Sequence, residues 1–270
     1  MNDNDLKVAV CQIMTRTSKK DTLNNTCSMI REACENGADI VVLPEMFTCP
    51  YSNDKFKQYA EDDKSETVVL LGKLAKDNGV YIIGGTVPEL SDDKLYNTCY
   101  AFDRTGNIIA KYRKSHLFDI NIEGKISFKE SDTISAGNDI CVFDTEYGKM
   151  GIAICFDIRF PELFRVMAEM GAQIIFVPAQ FNMTTGPVHW ELVTRARAID
   201  NENYIVAASA ARSDSGYQCW GHSEIIGPYG DIRSTCDEKE QIIYADINLS
   251  DINSVRHQIP IFDNIRNDIY

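Results

Sequence analysis

Two stretches of the chain follow one pattern. Gly37-Ala-Asp-Ile-Val-Val-Leu-Pro44 and Gly171-Ala-Gln-Ile-Ile-Phe-Val-Pro178 each run from a small-residue start through four apolar residues to a proline. A short continuous apolar run closed by a turn residue reads as a fully buried strand. The echo continues further along, where Tyr204-Ile-Val-Ala matches Tyr81-Ile-Ile-Gly and Tyr229-Gly-Asp-Ile232 matches Thr105-Gly-Asn-Ile108. The expectation is two related β-rich halves, each with helices on its outer face, packed sheet to sheet as one sandwich. Ala179 then holds in the second half the position that Glu45 holds in the first.

Strand-like and helical runs alternate along the first half: a strand at Val8 to Ile13, a helix around Thr22 to Glu35, and a strand ending at Glu45. A helix around Glu66 to Asp77 and a strand at Val80 to Ile83 follow. Such alternation predicts α/β architecture. Asn97 to Asp103 and Ile108 to Tyr112 flank Arg104-Thr-Gly-Asn107, a tight-reversal sequence, so the sheet is expected to be mixed. No Pro/Ser/Gly-rich linker interrupts the 270 residues, which are read as a single domain over 1–270.

The 27 basic residues are outnumbered by 40 acidic ones, and the net charge of −13 opposes the counterion release that nucleic-acid binding requires. No nucleic-acid or anionic-membrane partner is expected. Small acidic clusters such as Glu61-Asp-Asp63 and Asp237-Glu-Lys-Glu240 read as solvated faces. The nine cysteines include no C-x-x-C pair, which disfavours a zinc ribbon or a thioredoxin-like motif. Cys11, Cys99 and Cys141 lie in or beside apolar runs and read as small core residues. The acidic start Met1-Asn-Asp-Asn-Asp is unlike a signal or transit peptide, and no apolar run approaches the ~20 residues that span a bilayer. A reducing cytoplasmic setting is expected.

Chemistry gathers at strand exits, the usual place for it in α/β proteins. Cys155 ends the run Met150-Gly-Ile-Ala-Ile-Cys155 and opens the turn Phe156-Asp-Ile-Arg-Phe-Pro161 into a helix. Turn N–H groups and a nearby cation lower a thiol's pKa, and the Phe156 N–H is placed to hold an oxyanion. Glu45 follows Pro44, and Lys114 ends the hairpin strand Ile108-Ile-Ala-Lys-Tyr-Arg-Lys114. A carboxylate, an ammonium and a thiol suffice for nucleophilic attack on an amide. Each also has a plainer reading: a core cysteine, a carboxylate starting a surface loop, a solvated lysine. Glu130, in Ser127-Phe-Lys-Glu130, reads alone as a loop charge. A Cys-His mechanism needs an imidazole beside the thiol. His116, His189 at the start of a helix, His222 read in a strand, and His257 all lack a diagnostic context.

In combination, Leu43-Pro-Glu45, Tyr112-Arg-Lys-Ser-His-Leu117, Cys155-Phe-Asp-Ile-Arg-Phe-Pro161 and Arg195-Ala-Arg-Ala198 resemble the carbon–nitrogen hydrolases of the nitrilase superfamily. The likeness runs from Val8-Ala-Val-Cys-Gln12 to Gln258-Ile-Pro-Ile-Phe262. It implies a four-layer αββα sandwich of two mixed sheets and a Glu-Lys-Cys triad of Glu45, Lys114 and Cys155. Within the superfamily the ω-amidase branch is most similar. Pro50-Tyr51, Leu117-Phe-Asp-Ile120, Gly124-Lys-Ile126 and Phe181-Asn-Met-Thr-Thr-Gly-Pro187 before His189-Trp190 carry that likeness.

That branch hydrolyses the terminal amide of 2-oxoglutaramate and 2-oxosuccinamate through a cysteine thioester. The resemblance implies that Arg159 binds the substrate carboxylate, that Tyr51 and Thr185 make polar contacts, and that Phe181 forms an apolar wall. It gives Glu130 a supporting catalytic place, and it implies a homodimer with no metal or organic cofactor. A guanidinium fork suits a carboxylate, although an ion pair of Arg159 with Glu162 or another acid is the structural alternative. Phe156 stands where relatives often carry Tyr, which leaves the backbone donor untouched. The rival readings are an amidase for deaminated glutathione, another amide or N-carbamoyl hydrolase, and a silent binding protein or redox thiol protein on the same fold.

Overall fold

The computed structural model describes residues 5–213, 216–266 and 268–269. β1 (Asp5–Gln12), β2 (Ile40–Val42) and β3 (Tyr81–Ile83) run parallel. α1 (Lys19–Glu35) crosses from β1 to β2, and the short α2 (Asn53–Gln58) and then α3 (Glu66–Asn78) cross from β2 to β3. The hydroxyls of Ser18 and Ser65 accept N–H bonds at the starts of α1 and α3, and Gly79 closes α3 in the left-handed region. β4 (Val87–Ser91), β5 (Lys94–Phe102) and β6 (Ile108–Arg113) follow as antiparallel strands, with β5 pairing β3, β4 and β6.

β7 (Asp119–Ile122) and β8 (Ile126–Lys129) form a separate hairpin that the sequence reading did not anticipate. The second sheet opens with the hairpin β9 (Cys141–Thr145) and β10 (Gly148–Ile152). α4 (Pro161–Glu169) then leads to β11 (Ile174–Ala179), and α5 (Gly186–Asn201) to β12 (Tyr204–Ser209). β13 (Glu224–Ile226) and β14 (Ile232–Thr235) complete that sheet. β15 (Gln241–Asn248) returns to lie antiparallel to β1 before α6 (Ser250–Gln258).

The sheets run in the orders β15-β1-β2-β3-β5-β4, with β6 beside β5, and β14-β13-β12-β11-β10-β9. Each holds three parallel strands at its centre and antiparallel strands on both sides, and the two echoing stretches are β2 and β11. The expected duplication is therefore present in strand order and direction. Alternation along β2 sends Ile40 and Val42 between the sheets and Val41 outward, beneath Leu23, Ile30 and Leu71 of α1 and α3. α4 and α5 cover the second sheet with Phe164, Met167 and Trp190. The result is the αββα sandwich.

Some boundaries differ from the expectation. β2 ends at Val42 rather than Glu45, because Pro44 has no N–H and Glu45 to Thr48 form a turn with Met46 at φ +46°. β6 ends at Arg113, one residue before Lys114. His222 precedes β13 in a left-handed turn rather than lying in a strand. Glu61 is buried, not solvated, where it pairs with Lys19 and accepts from the Thr67 hydroxyl. Gly85 is required where it stands: it has φ +59°, and a Cβ there would meet the Pro44 carbonyl oxygen at 2.2 Å. Thr86, the next residue, accepts from the Met46 N–H at 2.8 Å, so this close approach steadies the peptide that carries Glu45.

Glu89 is buried at the join of β4, β5 and β6, where it accepts from Thr98 (2.7 Å), from Arg113 Nε and Nη2 (both 2.8 Å), and from Lys111. Burial pushes its carboxyl pKa up, but Arg113, Lys111 and Thr98 outweigh burial and hold it at about 2, below the ordinary 4.5. A depressed carboxyl stabilises the fold above the unfolded-state value, and that stability is lost as pH falls from 4.5 toward 2. Glu89→Gln should lower the urea midpoint near pH 7 and flatten its decline on acidification. An unchanged acid limb in that variant counts against the assignment.

Candidate active site

Four charged or polar side chains meet between the sheets with no solvent exposure: Glu45, Asn97, Lys114 and Glu130. Lys114 Nζ donates to Glu45 Oε1 at 2.8 Å and to Glu130 Oε2 at 2.9 Å. Asn97 Nδ2 donates to the same carboxylates at 2.8 and 3.1 Å, and the Phe118 N–H donates to Glu130 Oε2 at 2.7 Å. The Gln180 amide donates to the Glu45 carbonyl at 2.6 Å, and Gln180 directly follows β11. The plain readings of Glu45, Lys114 and Glu130 as solvated charges are thereby overturned. Among the described residues Glu45 Oε2 is the one of these carboxylate oxygens without a hydrogen bond of good geometry, and the Cys155 thiol interacts with this carboxylate.

Cys155 is buried and has φ +46°, a left-handed conformation that costs a non-glycine residue on the order of 1 kcal/mol or more. It opens a 3-10 turn, Cys155–Arg159, before Pro161 starts α4. The first N–H groups of such a turn have no partner within it, which leaves the Phe156 N–H free to face an incoming oxygen. Asp157 holds the turn. Its Oδ2 accepts from the Ile154 N–H and the Tyr112 hydroxyl, both at 2.9 Å. Its Oδ1 accepts from the His116 N–H at 2.9 Å and sits 2.7 Å from His116 Nδ1. The His116 ring in turn stacks on Phe160 at 3.6 Å. Tyr112 and His116 bracket Lys114, so one carboxylate ties the lysine segment to the thiol turn.

Electrostatics gives each group a resting state. Burial pushes the Cys155 thiol well up, the Glu45 carboxylate pushes it further, and Lys114 pulls the other way, so the thiol rests protonated. Burial also raises Glu45, with Lys114 opposing and Glu130 adding to the rise. A carboxylate more basic than usual beside a neutral thiol suits a general base. Burial alone lowers a lysine's pKa, but Glu130 and Glu45 together lift Lys114 well above its ordinary value and keep it cationic.

Cys155, Phe156, Arg159, Phe181, Asn182 and Thr185 line one small cavity beside this cluster. Arg159 has no carboxylate within ion-pair distance among the described residues. Its guanidinium lies 5.1 Å from the Phe181 ring and 5.7 Å from that of Phe156, and its Nη1 is 3.3 Å from His189 Nδ1. The ion-pair alternative for Arg159 is thus not what the structure contains; burial lowers its pKa, with the thiol opposing. Tyr51 stacks on Tyr217 at 4.8 Å, and its hydroxyl is buried without a partner.

The carbon–nitrogen hydrolase family matches residues 7–257. The chain belongs to that family. The hydrolase is 46% identical to omega-amidase NIT2-A of Xenopus laevis over 98% of this chain and 96% of that protein. It is 45% identical to human omega-amidase NIT2 over the same shares. In structure it matches Nit3 of Saccharomyces cerevisiae with a TM-score of 0.90 and 37% identity, over 99% of this chain and 97% of that one. It is an amidase. Of the residues singled out from the sequence, Cys155, Phe156, Arg159, Phe181 and Thr185 line the cavity, Glu45, Lys114 and Glu130 form the buried cluster, and Tyr51 lines a separate pocket that shares Gln180 with it. Asn97, Asp157, Gln180 and Tyr217 of the hydrolase were not singled out. Asn97 carried a usable signal, a lone amide in the apolar strand β5; the others are recognisable only once the chain is folded.

Asp157→Asn should turn a buried acceptor into a donor facing donors, at a cost of about 1–3 kcal/mol. We expect a lower urea midpoint and a fall in kcat of at least about tenfold with a smaller change in KM. Unaltered kcat in a folded variant would show that the clamp does not position the thiol.

Proposed function

We propose that this amidase is an ω-amidase, hydrolysing the terminal amide of short monoamides such as 2-oxoglutaramate and 2-oxosuccinamate to the acid and ammonia. The observation that carries the reading is Arg159, a half-buried guanidinium without a counter-charge in the same cavity as the thiol. A substrate carboxylate supplies the missing charge and sets the amide over Cys155, with Phe181 and Thr185 lining the cavity and Tyr51 a further polar contact from behind Tyr217. The omega-amidase names of the relatives support the same substrate class.

In this mechanism Glu45 takes the thiol proton through its free Oε2 as Cys155 Sγ bonds to the amide carbon. The carbonyl oxygen becomes an oxyanion held by Lys114 and the Phe156 N–H. Glu45 returns the proton to the nitrogen, the C–N bond breaks, ammonia leaves and a thioester remains. Water then gives a proton to Glu45 and its hydroxide adds to the thioester. Collapse of this second oxyanion releases the acid, and the thiolate recovers the proton. Glu130 holds Lys114 on station and helps seat the water.

The cytoplasm is the proposed setting, since all nine cysteines are free thiols and most are buried. Among the described residues no helix is long and apolar enough to cross a membrane. A second copy of the chain is the proposed partner, docked along α5. Val188, Leu192 and Ile199 are exposed there beside a groove of about 710 Å³. The Glu191–Arg195 pair on that face is self-complementary for an antiparallel copy. Leu192→Glu should shift the mass by light scattering from dimer to monomer; a monomeric wild type would refute the partner.

Cys155→Ala should abolish ammonia release, and intact-mass analysis of the wild type during turnover should show a substrate-derived acyl adduct. Arg159→Lys should lose more on carboxylate-bearing amides than on neutral ones, because an ammonium cannot reproduce the fork. Equal losses on both, or a wild-type preference for a neutral amide or a nitrile, would overturn the assignment.

A further inference from the structure

Asn182 lines the same cavity as Cys155 and Arg159, and its side chain is oriented without ambiguity. Its Oδ1 accepts from the Thr184 N–H at 2.9 Å and from the Thr185 N–H at 3.0 Å, at the mouth of α5. Backbone N–H groups can only donate, so the oxygen must face them and the amide nitrogen must face the other way. That Nδ2 is buried, and among the described residues it makes no hydrogen bond of good geometry, the Tyr217 hydroxyl oxygen being a weaker partner for one of its two N–H groups. The Tyr217 hydroxyl donates its proton to the Gln180 carbonyl at 3.0 Å, and its oxygen can accept from at most one of the two Asn182 N–H groups. The second N–H of this buried amide is left without an acceptor, which is costly, and its retention in the cavity calls for an acceptor that arrives with the ligand.

Resting on the ω-amidase reading above, we infer that Asn182 Nδ2 donates to the 2-oxo oxygen of the substrate and makes the enzyme prefer 2-oxo acids over their saturated counterparts. Arg159 takes the carboxylate, and the oxo group next to it carries the second acceptor that Asn182 lacks. A site built around such a donor leaves it unpaired when the saturated substrate binds, which is how hydrogen-bonding sites discriminate. Asn182 is in this account a specificity-determining residue and takes no part in bond breaking.

Two variants remove the donor while keeping an acceptor for the Thr184 and Thr185 N–H groups, since Ser and Asp side chains accept from backbone N–H groups in the same kind of turn. The experiment measures kcat/KM of wild type, Asn182→Ser and Asn182→Asp on two matched pairs: 2-oxoglutaramate against glutaramate, and 2-oxosuccinamate against succinamate. Within each pair the carboxylate and the amide are constant, so misfolding, a shifted thiol or an added charge affects both members. Wild type should favour the 2-oxo member, and the ratio should fall about tenfold in both variants, the worth of one hydrogen bond. If only one variant folds, its ratio decides. A wild-type ratio near one, or a ratio that survives the substitutions, overturns the inference while leaving the ω-amidase reading in place. Wild type inactive on all four compounds overturns that reading itself, before any variant is made.

Discussion

Placing an ammonium and two carboxylates where no water reaches them opposes folding by several kcal/mol per ion before their attraction is counted. In this hydrolase Lys114, Glu45 and Glu130 are all fully buried, and the surrounding architecture compensates for that. Asn97 and the Phe118 N–H occupy further lone pairs on the carboxylates, and Gln180 holds the backbone of Glu45. Gly85 lets a neighbouring strand end come close enough for Thr86 to brace Met46. Removing Lys114 would leave two carboxylates facing each other in a low-dielectric interior, and removing Asn97 would leave their lone pairs unmet. The same medium would strengthen the hold of Lys114 on an oxyanion in the proposed mechanism, because bulk water does not compete for it.

The duplicated sheets explain how these groups come together. Glu45 lies just past β2, and Cys155 lies just past β10 in the facing sheet. The second sheet has Ala179 where the first has its carboxylate, yet it still contributes at that position, since Gln180 reaches across to the Glu45 carbonyl. The two equivalent strand exits have therefore diverged into one that carries the buried carboxylate and one that anchors its backbone. The hairpin of β7 and β8 adds the third charged group, with Phe118 leading into it and Glu130 leading out.

Much of this was legible in the residues. Buried strands announced themselves as apolar runs, and the repeated pattern gave the two sheets. The thiol, carboxylate and lysine were visible at strand exits, and their combination matched a family. The remainder depended on contacts distant in sequence. Glu61 looks like part of an exposed acidic run until Lys19 and Thr67 surround it. Asp157 looks like an ordinary turn residue, because its partners Tyr112 and His116 belong to another segment of chain. The β7–β8 hairpin alternates Ile120 and Ile122 with polar residues around the Gly124 turn, a pattern present in the sequence but too short to stand out against the longer strands.

The pairing of β15 with β1 extends from Asp5 to Gln12 along the full length of the strand. Until the residues of β15 have been synthesised, the first sheet has an open edge at β1, with unpaired backbone groups available to any other strand. The half that carries Glu45 therefore cannot complete its own sheet while the half that carries Cys155 is still emerging from the ribosome. Contacts of such long sequence separation slow folding and lengthen exposure to aggregation. β1 waits for β15, and Glu45 and Cys155 come into register only when folding is nearly complete.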